Sequence, residues 1–385
     1  MPKLLFNNNM QLLRLLILSI FISIALGGIL FGVLNITESN PFNMIDTSSD
    51  DPTGAVTAIN NDENSQDSLN EGGLTHPQDL DFDGYEVLTI PFLRQRAYDT
   101  PILEISDTLY SNADFNSYIA SYYSDGLKIN GLLTIPNKEM PESGHPAIIF
   151  LHGYIPPTQY QTTSKYESYV NYLARNGFVV FKIDYRGHGD SEGEPTGAYF
   201  SPSYVIDTIN AINAISTNEK VDKDKIGLWG HSMSGNILLR TMAVKPEIKA
   251  GVIFAGAVYT YKDFREYGID DNSYDRNSTS NNPMRQRSKD LFEKVGDIND
   301  NPDFWNLVAP TSYLKDFRGS LNIHHSLNDD VVSIEYSRNL KKLLDESGVK
   351  NNLYEYQSGG HNITDPAFGT AMKRTVEFFN DRLNN

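Results

Sequence analysis

Downstream of residue 147, short continuous apolar runs alternate with amphipathic stretches, and this alternation leaves the chain few possible architectures. AIIFLH (147–152), FVVFKI (178–183), KIGLWGH (225–231), AGVIFAGAV (250–258) and SLNIHH (320–325) each read as a buried strand, and NNLYEYQ (351–357) closes the series. Helical stretches lie between them at 163–175, 202–217, 233–244, 334–346 and 366–382. A strand that is apolar on both faces needs cover on both faces, and helices with one apolar stripe supply it. The pattern predicts an α/β fold built on a mostly parallel, doubly wound sheet. Upstream, 116–123 and 127–135 flank Ser124-Asp125-Gly126 and read as a hairpin. Residues 260–312 interrupt the alternation with a polar, charge-rich stretch around Trp305 and no clean strand, which predicts a helical insertion over the sheet edge.

The first 84 residues have a different texture. Leu15 to Leu34 is a run of 20 residues without a charge, about 30 Å as a helix and enough to cross the hydrocarbon core of a bilayer. Lys3 and Arg14 precede it, and only acids follow until well past residue 84, so the N-terminus is expected in the cytoplasm and the bulk outside. The competing reading is a signal peptide cleaved near Ala25-Leu26-Gly27; the apolar run continues seven residues further, which favours an uncleaved anchor. Residues 36–84 hold 11 acids, no Lys or Arg and few aliphatics, and read as an acidic, disordered linker. Within it, Asp79, Asp81, Asp83 and Gly84 spell half of a calcium loop, but Ile90 stands where the bidentate Glu belongs, so a solvated acidic turn is the favoured reading.

The net charge of −17 is concentrated in that linker, and nothing resembles the clustered basic face that nucleic acid requires. With no cysteine in the chain, disulfides, thiolate nucleophiles and thiolate metal ligands are excluded. No histidine pair has metal-ligand spacing, and no cofactor is expected.

The strand 225–231 runs into Gly230-His231-Ser232-Met233-Ser234-Gly235 and then into a helix. Ligands of α/β sheets gather at the carboxyl ends of strands. A serine on a sharp strand-to-helix turn presents its hydroxyl there, provided the residues two before and two after are small. Gly230 and Ser234 meet that demand, although Ser234 stands where glycine is usual. A serine hydroxyl needs an adjacent base, itself oriented by a carboxylate. His361, in the loop Ser358-Gly359-Gly360-His361 after the next-to-last helix and last strand, is placed for that role. Asp329 or Asp330, after the strand 320–325, would supply the carboxylate. His188, His324 and His325 read as structural histidines. The backbone N–H groups of Met233 and Tyr154 are the expected oxyanion donors, with His152 bracing the second loop and Pro156 and Pro157 stiffening it.

LHGY (151–154), DYRGHGDSEG (184–193), GHSMSG (230–235), NDDVV (328–332) and GGH (359–361) together resemble the α/β-hydrolase superfamily. Within it, they resemble the catalytic domain of prolyl oligopeptidase-type serine peptidases and their esterase relatives. The resemblance spans about 145–365 and implies a Ser232–Asp329–His361 triad, choosing Asp329 over its neighbour; the change of texture at Tyr85 sets the catalytic domain at 85–385. It implies hydrolysis of a peptide or carboxylic ester bond through an acyl-enzyme; a non-catalytic, membrane-tethered binding module is the alternative. Family peptidases carry an N-terminal β-propeller, for which the stretch 85–145 is too short. The insertion 260–312 would form a lid, with Tyr261, Phe264 and Trp305, joined by Tyr267 and Phe304, lining an apolar acyl pocket.

Overall fold

Nine strands form one sheet in the order β1-β2-β3-β5-β4-β6-β7-β8-β9 in the computed structural model, which describes residues 82–270 and 283–384. The strands are β1 (Glu104–Ser111), β2 (Phe115–Ser124), β3 (Leu127–Pro136), β4 (His145–Leu151), β5 (Val179–Ile183), β6 (Val221–His231), β7 (Ala250–Phe254), β8 (Ser320–Ser326) and β9 (Asn351–Tyr356). The strands β1, β2 and β3 pair antiparallel, and β3 joins β5 antiparallel. From β5 through β4 and on to β9 every pairing is parallel. Crossovers between parallel strands require helices, and the chain supplies them on both faces. In chain order the helices are α1 (Ile90–Gln95), α2 (Glu167–Arg175), α3 (Ser203–Ile215), α4 (Ser234–Val244), α5 (Tyr261–Tyr267), α6 (Pro283–Val295), α7 (Pro302–Val308), α8 (Glu335–Glu346) and α9 (Phe368–Leu383).

Strand periodicity divides the core. Ile149, Leu151, Phe181 and Ile183 face one side, where they pack with buried residues of α3, α4 and α8. Ile148, Phe150, Val180 and Trp229 face the other and meet α2 and α9. Each such fully buried aliphatic or aromatic side chain contributes about 1.5–3 kcal/mol, and Phe150 stacks on Trp229 with centroids 4.1 Å apart. The helix α8 shows why these segments are helical. Tyr336, Leu340 and Leu344 recur every four residues and are buried, while Lys341 and Asp345 pair on the solvent side. It stops at Ser347, and Gly348 follows with a φ of 75°.

Three elements differ from the pattern read in the sequence. Strand β7 ends at Phe254 instead of 258, because Ala255 and Val258 turn to positive φ; the Ala255 N–H makes the last bond to β8, on the His324 carbonyl. Helix α2 begins at Glu167, after Lys165 and Tyr166, which both have positive φ. Strand β1 was not expected: it is an edge strand of mixed polarity that exposes Ile105, Leu109 and Tyr110. Of the insertion read at 260–312, the described residues form α5, α6, α7 and the start of a 3-10 turn at Pro310–Asp316, with no strand among them.

The apolar run 15–34 and the linker through residue 81 lie outside the described residues. Among the described residues, no helix is long and apolar enough to cross a membrane. Asp79 and Asp81 of the calcium half-loop also fall outside. Asp83 and Gly84 form a turn ahead of a 3-10 helix at Tyr85–Leu88, and no cluster of acids or histidines among the described residues is arranged to hold a metal ion.

Candidate active site

The end of β6 and the start of α4 approach so closely that a Cβ on Gly230 would stand 2.8 Å from the Ser234 carbonyl oxygen. The chain turns between them at Ser232, whose φ of 54° is a left-handed conformation that few non-glycine residues adopt. Two backbone bonds hold this elbow: Ser232 N–H donates to the Phe254 carbonyl (2.9 Å), and Gly235 N–H donates to the Ser232 carbonyl (2.9 Å). Such strain persists only where the surroundings enforce it, and it clusters at functional positions.

The loops after β8 and β9 supply the second half of the site. His361 Nδ1–H donates to Asp329 Oδ2 at 2.9 Å. The Asp329 side chain is 1% exposed and is further held by the N–H groups of Val331 (2.9 Å) and Val332 (3.0 Å) on Oδ1. A second imidazole reaches the same carboxylate. His325 Nε2–H is shared between Asp329 Oδ2 (3.1 Å) and the Val332 carbonyl (3.0 Å), which leaves His325 Nδ1 to accept from Ser337 Oγ (2.7 Å). Burial pushes the Asp329 carboxyl upward, but the bonds from His325, His361 and Val332 outweigh it and hold the group below the usual carboxylate range. The carboxylate therefore stays ionised and fixes His361 with its proton on Nδ1, leaving Nε2 to accept. His325 reads in the sequence as a structural, hydrogen-bonding histidine and is one; that its partner is the Asp329 carboxylate is not visible from its strand position.

His361 is carried on a loop shaped by Gly359, Gly360 and Ile363, all at positive φ, and tied to the acid loop by Gly360 N–H donating to Asn328 Oδ1 (3.0 Å). Its ring lies 4.6 Å, centroid to centroid, from that of His231, the neighbour of Ser232. The structure thus brings Asp329 and His361 into direct contact and sets both beside the elbow. A hydrogen bond between Ser232 and His361 is not formed among the described residues. Bonds between base and nucleophile are often long until substrate is engaged.

The loop after β4 closes the site from the other side. Gly153 packs against the elbow so tightly that a Cβ there would be 3.2 Å from Ser232 Cβ. His152 braces the loop as expected, donating from Nδ1 to the Gly153 carbonyl at 2.7 Å. Ser234, where the motif usually has glycine, also has a bonding role: its hydroxyl donates to the His152 carbonyl and bonds Tyr185 Oη (2.7 Å). Met233 is buried at the start of α4, and the Tyr154 side chain is 37% exposed.

The proposed acyl pocket is placed differently. Tyr261 and Trp305 are 5% and 1% exposed, in a cluster with Leu88, Leu291, Phe304 and Val308 that joins the insertion to the chain ahead of α1. Their polar atoms are engaged internally, Tyr261 Oη with the Tyr199 carbonyl (2.6 Å) and Trp305 Nε1 with the Gly296 carbonyl (3.1 Å). These two rings are interior packing residues: once the insertion forms its own core, its largest aromatics fill it. Phe264 and Tyr267 are half-buried, against Tyr199 and Tyr336 respectively.

A parallel sheet with a strained serine after β6, an acid after β8 and a histidine after β9 defines an α/β-hydrolase with a serine elbow. In fold and in its family-model matches the chain is similar to the α/β-hydrolases. Residues 143–268 match the family described as serine aminopeptidase, S33, and residues 209–384 match the C-terminal family of BAAT and acyl-CoA thioester hydrolases. A Schizosaccharomyces pombe protein bearing a dipeptidyl aminopeptidase name is 24% identical over 242 residues, 61% of this chain and 25% of that protein. The acetyl xylan esterase 1 from Thermoanaerobacterium sp. superposes with a TM-score of 0.54 at 20% identity, covering 77% of this chain and 93% of the esterase. The acylaminoacyl peptidase of Pyrococcus horikoshii gives 0.55 at 20% identity, covering 70% of this chain and 42% of the peptidase. The chain spans a quarter to little more than a third of the length of the curated relatives it matches.

Proposed function

We propose that the chain is a serine hydrolase that cleaves peptide or carboxylic ester bonds through an acyl-enzyme on Ser232. The observation that carries this reading is the Asp329–His361 hydrogen bond set beside the positive-φ serine. His361 Nε2 takes the proton from Ser232 Oγ as that oxygen attacks the substrate carbonyl. The N–H groups of Met233 and Tyr154 face the oxygen that gains charge, each worth about 3 kcal/mol in such sites. The resulting imidazolium is stabilised by Asp329 and returns its proton to the departing amine or alcohol. Water, activated by the same imidazole, then releases the acid and restores Ser232.

Within this class, the likeness to an esterase over 93% of that esterase's length supports a second reading, in which small esters are the substrates. Peptidases of the resembled type carry a further domain ahead of the catalytic one. In this chain, the stretch from 104 to 136 is spent on β1, β2 and β3 of the catalytic sheet itself. The apolar run 15–34 supports an exported domain tethered by its N-terminus.

A fluorophosphonate probe is expected to label the wild-type chain, and Ser232→Ala to abolish the labelling. Wild-type protein that takes no probe would favour the binding-module alternative. Nitrophenyl esters assayed beside aminoacyl- and prolyl-amides decide between ester and peptide substrates. Protease accessibility in intact cells tests the export of the domain.

A further inference from the structure

We propose that Tyr166 and His231 form a positioning relay that locks the oxyanion loop to the loop bearing the general base, so that both move as one unit around Ser232. This inference rests on the serine-hydrolase reading above.

The relay is a continuous line of hydrogen bonds across three loops. Gly153 N–H donates to Tyr166 Oη (2.9 Å), and Tyr166 Oη bonds His231 Nδ1 (2.8 Å). On the far side of the ring, His231 Nε2 bonds the His361 carbonyl oxygen (3.0 Å). A carbonyl can only accept, so His231 carries its proton on Nε2, and Nδ1 must accept from the tyrosine hydroxyl. Every donor then points the same way along the relay, and no proton is free to reverse it. Burial, with His361 nearby, lowers the pKa of His231 to about 3, so the neutral ring persists across the working range.

Two further observations show that the arrangement is built rather than incidental. Tyr166 stands at a φ of 57°, directly after Lys165 at 63°, a pair of left-handed non-glycine residues costing on the order of 1–3 kcal/mol each. That backbone aims the phenol inward, where its ring also packs edge-on against Phe150 and Trp229. The relay also engages the Gly153 N–H, so this amide serves to hold the loop. Neither Tyr166 nor His231 is a catalytic residue in this scheme; each acts through the group it holds.

The test is Tyr166→Phe in the full chain, which removes one oxygen and keeps the ring. Its kcat is expected to fall on the order of tenfold to a hundredfold with KM nearly unchanged, as for a small misplacement of reacting groups. Affinity for a boronic acid that forms a tetrahedral adduct on serine should fall by a similar factor. Active-site titration with a fluorophosphonate fixes the folded, competent fraction, so that loss of fold is not read as loss of rate. As a second variant, His231→Gln retains an amide N–H for the His361 carbonyl and is expected to keep more activity than His231→Leu. The inference is overturned if Tyr166→Phe matches wild type per titrated site, or if KM rises while kcat holds. A wild-type chain that takes no probe overturns the functional reading, and the relay falls with it.

Discussion

Asp329→Asn tests the acid at the centre of the site. Two backbone N–H groups approach Oδ1 and two imidazoles approach Oδ2, so both oxygens of the carboxylate face donors. An asparagine has one such oxygen. The backbone donors of Val331 and Val332 cannot give up their protons, so the amide oxygen turns to them and the NH₂ faces the imidazoles. His325 can keep its N–H on the Val332 carbonyl. His361 has no such recourse; it must accept on Nδ1 and carry its proton on Nε2, the wrong tautomer for taking a proton from Ser232. The expected loss in kcat is roughly 10³–10⁴, or about 4–5.5 kcal/mol, with little change in KM. Single-turnover labelling by a fluorophosphonate and steady-state hydrolysis of a nitrophenyl ester would measure it, with a thermal melt to confirm folding. Asp330→Asn, at an exposed position, serves as the control. A loss below tenfold, or an equal loss in Asp330→Asn, would refute the assignment.

Two other perturbations follow from the same geometry. Because the folded pKa of Asp329 is depressed, the group contributes stability above the ordinary carboxylate value, and that contribution disappears as pH falls; the stability gap between wild type and Asp329→Asn should therefore narrow between about pH 5 and about pH 3 in urea titrations. Trp305→Ala should cost about 3–5 kcal/mol of stability by opening the core of the insertion, while preference across a series of nitrophenyl esters of increasing acyl length stays unchanged; a shifted preference would show that the ring reaches the acyl group.

Much of the fold was legible because its signal is periodic and local. The strand read at 127–135 is β3 at Leu127–Pro136, and the helix read at 233–244 is α4 at Ser234–Val244. The errors occur where tertiary structure overrides that signal. In AGVIFAGAV nothing distinguishes the first five residues from the last four, yet a turn under α4 needs the latter: a Cβ on Gly235 would stand 2.8 Å from Gly256 Cα. Strand β1 has no apolar alternation because its described side chains are exposed on both faces, so neither face selects for apolar residues. In the site, the order of serine, acid and histidine was readable from strand ends: the serine and the acid follow buried runs, and the histidine follows the last, half-exposed strand. The partners of those residues were not. His325 meets Asp329 only after the loop folds back on its strand, and Tyr166 reaches the elbow through a left-handed turn that no propensity indicates. Tyr261 and Trp305 pack in the insertion's own core for a related reason: composition shows that rings are present without showing whether they face a ligand or one another.

Gly153 constrains how this scaffold could be altered. A methyl group on it would meet Tyr166 Oη at 2.8 Å, His231 Nδ1 at 2.9 Å and Ser232 Cβ at 3.2 Å. This gap beside the elbow is thus kept open by a missing side chain, and even alanine would wedge it apart. Laboratory selection for new substrates would have to leave that spot untouched and seek its variation elsewhere.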